Sequence, residues 1–95
     1  MPLYIVSYDL NDKGNKTYKE LYDALQGFPR WFHPMESTWF VESDMTASEI
    51  YEQLRPIVSA IDGLIVVEFK KDAHYKGWLS TKFWGWIKER LQDGK

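Results

Sequence analysis

The chain opens on an apolar run, Leu3 to Asp9 (LYIVSYD), with bulky residues at alternate and intervening positions alike. Apolar groups on both faces predict a central strand. A polar segment with Gly14, Asn11 to Asn15, predicts a loop. From Thr17 to Gly27 the period changes. Tyr18, Leu21, Tyr22 and Leu25 share one helical stripe, and Gly27 supplies a stop. Arg30 to Phe32, reaching at most His33, reads as a short strand that Pro34 breaks or bends. Ser37 to Ser43 (STWFVES) reads as its hairpin partner. Thr46-Ala47-Ser48-Glu49 has the spacing of a capping box. The helix behind it carries Ile50, Leu54, Ile57, Val58 and Ile61 on one face, with Pro56 expected to kink or divide it. After the Asp62-Gly63 turn, Leu64 to Lys70 (LIVVEFK) is the strongest strand pattern in the chain. A short strand is expected around His74 to Leu79. A last helix is expected over Thr81 to Leu91, with Phe83, Trp84, Ile87 and Leu91 on one side.

This order predicts an α+β fold, a ferredoxin-like β-α-β-β-α-β sandwich with a C-terminal helix. Residues 1–95 read as a single ferredoxin-like domain in which 81–91 form a helical extension. The expected strand order is 4-1-3-2, with the first and third strands central and antiparallel, and two helices on one face. Such a topology gathers Asp9, His33, Glu36 and Ser37, with the loop Asn11 to Lys16, at one edge of the sheet.

Composition narrows the functions. A chain of 95 residues has room for one core. Aromatic residues are 17%, with 5 Trp, 6 Tyr and 5 Phe, which excludes wholesale disorder. With no cysteine, disulfides, thiol catalysis and cysteine-ligated metals are excluded. No apolar run approaches the roughly 18 residues of a membrane span and no signal peptide precedes the first strand, so the expectation is a cytoplasmic protein without a membrane partner. The net charge of −2 hides an asymmetry: residues 1–69 hold 5 basic and 11 acidic side chains, residues 70–95 hold 7 and 3. The whole chain is therefore not a general polyanion binder, although a local basic surface near the C-terminus is compatible with it.

Asp9 closes an apolar strand, a position suited to a magnesium ligand or general base; the plainer use is to accept backbone amides in the loop. As a histidine, His33 could move a proton or touch phosphate, or else sit hydrogen-bonded among aromatic neighbours. Glu36 could complete a carboxylate pair with Asp9, or simply face water in the hairpin. Ser37 could contact nucleic acid, or satisfy backbone groups. Lys13, Lys16 and Arg30 could hold phosphate near this edge, although scattered basic residues occur on any domain. Trp31, Trp39, Trp78, Trp84 and Trp86 could stack on bases, but most are expected in core or interface packing. Trp78, Trp84 and Trp86 are the interface candidates, expected to cover a sheet edge or a subunit contact. Glycine-rich phosphate loops, metal-spaced histidine pairs and catalytic triads are absent.

YIVSYDL, the Tyr-bearing helix, WFHPMESTWFVES and LIVVEF together resemble small bacterial proteins labelled SinR family, relatives of the CRISPR-associated ferredoxin-fold adaptation subunit and of the VapD toxin group. The resemblance covers roughly Leu3 to Trp86, and HPMESTW with Tyr8-Asp9-Leu10 is its most specific part. It implies a ferredoxin-like homodimer in which Asp9 occupies the metal-ligand position at the dimer interface, with metal-dependent RNA or DNA cleavage, or a non-catalytic structural role, as the activities. The acidic front half and the helical tail differ from the adaptation subunit, whose dimer is often completed by an extra C-terminal strand.

The leading expectation is therefore a homodimeric nucleic-acid-processing or nucleic-acid-binding protein. If catalytic, it would be a metal-dependent phosphodiesterase using Mg2+ at Asp9, with His33 and Glu36 assisting and Lys13, Lys16, Arg30 and Ser37 contacting the strand. The alternative is a non-catalytic dimerisation or protein-interaction module of a defence or toxin–antitoxin system. Small-ligand regulation is a third option.

Overall fold

The computed structural model describes residues 1–11 and 15–92. Its elements are β1 (Leu3–Asp9), α1 (Asn15–Leu25), β2 (Arg30–Met35), β3 (Thr38–Glu42), α2 (Ala47–Leu54) with a 3-10 turn (Arg55–Ile57), β4 (Gly63–Glu68) and α3 (Thr81–Gln92). The four strands form one antiparallel sheet in the order β2-β3-β1-β4, which reads 4-1-3-2 from the other edge. The two central strands are β1 and β3, with Val6 opposite Trp39 on one side and Val66 on the other.

The pleat sends alternate residues of β1 to opposite faces. Tyr4, Val6 and Tyr8 join Trp39 and Val41 of β3 under Leu21 and Leu25 of α1 and Ile50 and Leu54 of α2. Leu3 and Ile5 join Phe40 on the other face, where Phe83 and Ile87 of α3 cover them. The fold is thus a small α+β protein whose sheet carries helices on both faces. Among the described residues, no helix is long and apolar enough to cross a membrane.

Local chemistry sets most of the boundaries. Thr46 accepts from the Glu49 amide at 3.1 Å and the Glu49 carboxylate accepts from the Thr46 amide at 2.8 Å, so the capping box is formed. Pro56 lacks the amide that an α-helix needs, and α2 gives way to the 3-10 turn one residue earlier. Ile61, expected on the helical stripe, consequently lies beyond it and is 71% exposed. After α1 the Gly27 amide bonds the Ala24 carbonyl; a Cβ there would come within 3.2 Å of that oxygen, which explains a glycine at this stop.

Two further expectations change. Strand β2 does not stop before Pro34 but continues to Met35, and the bend expected at Pro34 takes the form of a register shift between Phe32 and Met35. As an edge strand it tolerates a missing donor. The strand expected around His74 to Leu79 does not form. The ladder ends with the Phe69 amide on the Leu3 carbonyl, and a turn closed by the Ala73 amide on the Lys70 carbonyl takes the chain away from the sheet edge.

Helix α3 is fixed at both ends. The Ser80 hydroxyl accepts from the Phe83 amide at 3.1 Å. Toward its other end, Arg90 lies 3.4 Å from Glu42 and 4.8 Å over the Trp86 ring. Phe83, 2% exposed, touches Phe32, Phe40 and Trp84. Replacing Phe83 by Ala should therefore cost about 3–5 kcal/mol in urea unfolding; a loss below about 1 kcal/mol would show that α3 does not hold the second face.

Candidate functional site

The β2–β3 hairpin turn is organised around one backbone oxygen, the carbonyl of Glu36. Tyr8 donates its hydroxyl to it from β1 at 3.1 Å, and Tyr22 donates from α1 at 3.4 Å. His33 Nε2 lies 2.9 Å from the same oxygen. A carbonyl can only accept, so Nε2 carries the proton and Nδ1 is the ring position left for accepting one. Trp39, fully buried, donates its indole N–H to the Tyr8 hydroxyl at 3.1 Å. The His33 ring stacks on Trp39, with centroids 4.0 Å apart and planes at 15°, and meets Tyr22 edge-on at 5.1 Å. Strand β1, helix α1 and the β2–β3 hairpin thus hold one another around a chain from indole to phenol to carbonyl.

Burial pushes the Tyr8 hydroxyl well above the ordinary phenol range, with the bond from Trp39 acting in the opposite direction. Tyr4, which donates to the Met45 carbonyl at 2.6 Å, is also raised, first by burial and then by Glu68 and Glu49.

Asp9 leaves the sheet on the other face. Tyr8 points into the helix-covered core, so its neighbour faces the α3 side, where Asp9 is exposed opposite Gly63. The Asp9 carboxylate has no hydrogen-bond or ion-pair partner among the described residues. On the same face Ser7 and Thr38 share a hydroxyl–hydroxyl bond at 3.1 Å, and Ser7 donates to the Ser37 carbonyl at 3.3 Å.

The structure brings His33, Glu36 and Ser37 together at the hairpin and sets Asp9 at the same end of the sheet, with its side chain on the face away from His33. Glu36 engages the network through its backbone and leaves its side chain exposed; Ser37 is half-buried, its carbonyl taken by the Tyr8 amide and Ser7. Arg30 is at the other end. It pairs with Glu42, itself opposite Leu3, and lies 3.8 Å from that carboxylate, so the length of β1, about 20 Å, separates it from Asp9. Lys13 and the side chain of Lys16 lie outside the described residues.

Of the interface candidates, Trp84 packs on Phe83 and stacks over Tyr75 at 6.1 Å, Trp86 packs on Phe32, and Trp78 is 97% exposed. Within this chain, α3 and its rings cover a sheet face rather than a sheet edge. The polar role of Tyr8, Tyr22 and Trp39 was not read from the sequence. Tyr22 looked like one member of an apolar stripe, and nothing local marks a phenol whose acceptor lies in a distant hairpin.

A divalent ion would need oxygen ligands. Among the described residues no group of three His, Cys, Asp or Glu side chains could hold a metal.

No protein-family model matches the sequence, and no curated protein matches it. Among solved structures, the chain is similar to the crystal structure of the hypothetical protein TT1823 from Thermus thermophilus, with a TM-score of 0.61 and 16% identity over 83% of this chain and 94% of that one. At that identity the likeness speaks for the fold alone.

Tyr8→Phe removes the bond to Glu36 and leaves the buried Trp39 N–H without its acceptor, and should cost about 1–3 kcal/mol in urea unfolding at neutral pH. Because the folded state raises the Tyr8 pKa, its contribution is complete below about pH 10 and is lost as pH climbs through the raised value. The wild type should therefore lose stability above pH 10 more steeply than Tyr8→Phe, with Tyr4 keeping its own share. Parallel alkaline slopes would refute the assignment to Tyr8.

Proposed function

We propose that this chain is a ferredoxin-like nucleic-acid-processing domain that works as a homodimer, Asp9 of each copy supplying a carboxylate to a shared Mg2+. The observation that carries the reading is the state of Asp9, an exposed carboxylate without a partner among the described residues, at the end of a strand that is otherwise largely buried. The strand order 4-1-3-2 supports the ferredoxin-like description, and the resemblance to SinR-labelled proteins and to the CRISPR adaptation subunit and VapD groups belongs to the same proposal. A cytoplasmic location fits it.

Mg2+ is commonly held by one or two carboxylates, with water and substrate phosphate filling the other positions. Asp9 from each of two copies would supply such a pair. When bound, the ion would polarise a phosphodiester and lower the pKa of a water. The chain's own part is positional. Tyr8, anchored to Glu36, fixes the backbone beside Asp9, and the hairpin network holds His33 with Nδ1 as its open ring nitrogen.

A non-catalytic interaction module is the second reading, favoured by the apolar surface of Ile65, Val67 and Trp78, respectively 57%, 45% and 97% exposed.

The two readings separate cleanly. Purified chain with Mg2+ should cleave single-stranded RNA or DNA, and Asp9→Asn should lower the rate at least about hundredfold while keeping the same melting curve and the same dimer on size exclusion. Equal cleavage by Asp9→Asn, or a monomer at working concentration, would overturn the catalytic homodimer.

A further inference from the structure

The segment between β4 and α3 carries chemistry that the core does not use. From Lys70 to Trp84 there are four lysines, Lys70, Lys71, Lys76 and Lys82, against one acid, Asp72, all five exposed. The preceding part of the chain is strongly acidic. Within the same stretch Trp78 is 97% exposed, whereas no other tryptophan exceeds 38%. An indole this open forgoes the burial that normally accounts for the residue.

Trp78 borders an apolar groove of about 310 Å³ between the second face of the sheet and α3, with ring walls from Phe40, Phe69, Tyr75, Phe83 and Trp84 and with Lys76 at its lining. Tyr75 and Trp84 lie nearly parallel at 17°, and Tyr75 sits 5.1 Å from Phe69. Planar walls and lysines together suit a ligand with flat rings joined by negative charges.

We propose that this surface, residues 70–80 with the first turn of α3, docks single-stranded nucleic acid. Bases stack on Trp78 and enter the groove, while Lys76 and Lys82 neutralise phosphates. A duplex keeps its bases in its own stack and cannot offer them to these rings. An acidic peptide would answer the lysines but not the flat walls. A second copy in a two-fold contact would set the same lysines against each other. Neither stacking nor phosphate contact reads the sugar, so RNA and DNA bind alike. The inference rests on the nucleic-acid reading given above but not on Asp9.

Fluorescence anisotropy of the full chain with labelled oligo-uridylate and oligo-thymidylate tests it. Both strands should bind within a few-fold of each other and weaken as salt rises. Trp78→Ala should weaken both about tenfold, and Lys76→Glu with Lys82→Glu should weaken them about as much and flatten the salt dependence. The exposure of Trp78 keeps the fold out of question, which a melting curve verifies. The proposal falls if neither strand binds at low salt, if duplex binds equally well, or if Trp78→Ala binds normally. It falls equally if polyglutamate displaces the strand at matched charge, or if Trp78→Ala turns a dimer into a monomer. Binding by a wild-type chain that shows no Mg2+-dependent cleavage sinks the catalytic reading alone; Asp9-dependent cleavage with normal binding by Trp78→Ala sinks this one alone.

Discussion

Strand β1 is apolar on both faces, and the remaining architecture answers that constraint. A strand with Tyr4, Val6 and Tyr8 on one side and Leu3 and Ile5 on the other cannot lie at a solvent face without exposing one set. It needs a strand on each edge, supplied by β3 and β4, and a cover on each face. The helices α1 and α2 provide one cover. The second comes from α3, whose Phe83 and Ile87 are nearly fully buried. The C-terminal helix is therefore part of the core.

Polar chemistry then sets the register at the far end of the same strand. Burying Tyr8 and Trp39 side by side removes a phenol and an indole N–H from water, and each needs a partner. Trp39 donates to Tyr8, and Tyr8 donates to the Glu36 carbonyl in the hairpin turn. Sliding β3 by one residue would turn Trp39 to the other face and strand both groups. Tyr22 and His33 converge on the same carbonyl, tying α1 and the β2 edge to it. The aromatic surplus thus has a polar use as well as an apolar one.

How much of this was legible follows from the range of each interaction. The capping box of Thr46 and Glu49 and the division at Pro56 are local, and the sequence displays them directly. The continuous apolar run of β1 announces a central strand for the same reason. The passage of β2 through Pro34 depends on its being an edge strand, a property of the assembled sheet. The irregular course of residues 73–80 depends on where the ladder ends, although Tyr75, Trp78 and Leu79 look strand-like in isolation. Asp9 could be placed at one end of the sheet with His33 and Glu36, but which face its side chain takes follows from Tyr8 being buried beside it. Arg30 is expected near that end from sequence; its register with Glu42 puts it at the other.

The position of α3 also limits how two copies could meet. Face-to-face stacking of two sheets through the second face would require the Phe83 and Ile87 side chains to leave Phe40 and Leu3. Two such withdrawals would cost about as much as a typical domain has in stability. Asp9 lies on this same face, at the end of β1 away from Leu3 and the Glu42–Arg90 pair. A homodimer that brings two Asp9 carboxylates to one ion must therefore join at the sheet end, beside the hairpin, while α3 stays in place. In that arrangement the network on the Glu36 carbonyl becomes the rigid support of the contact.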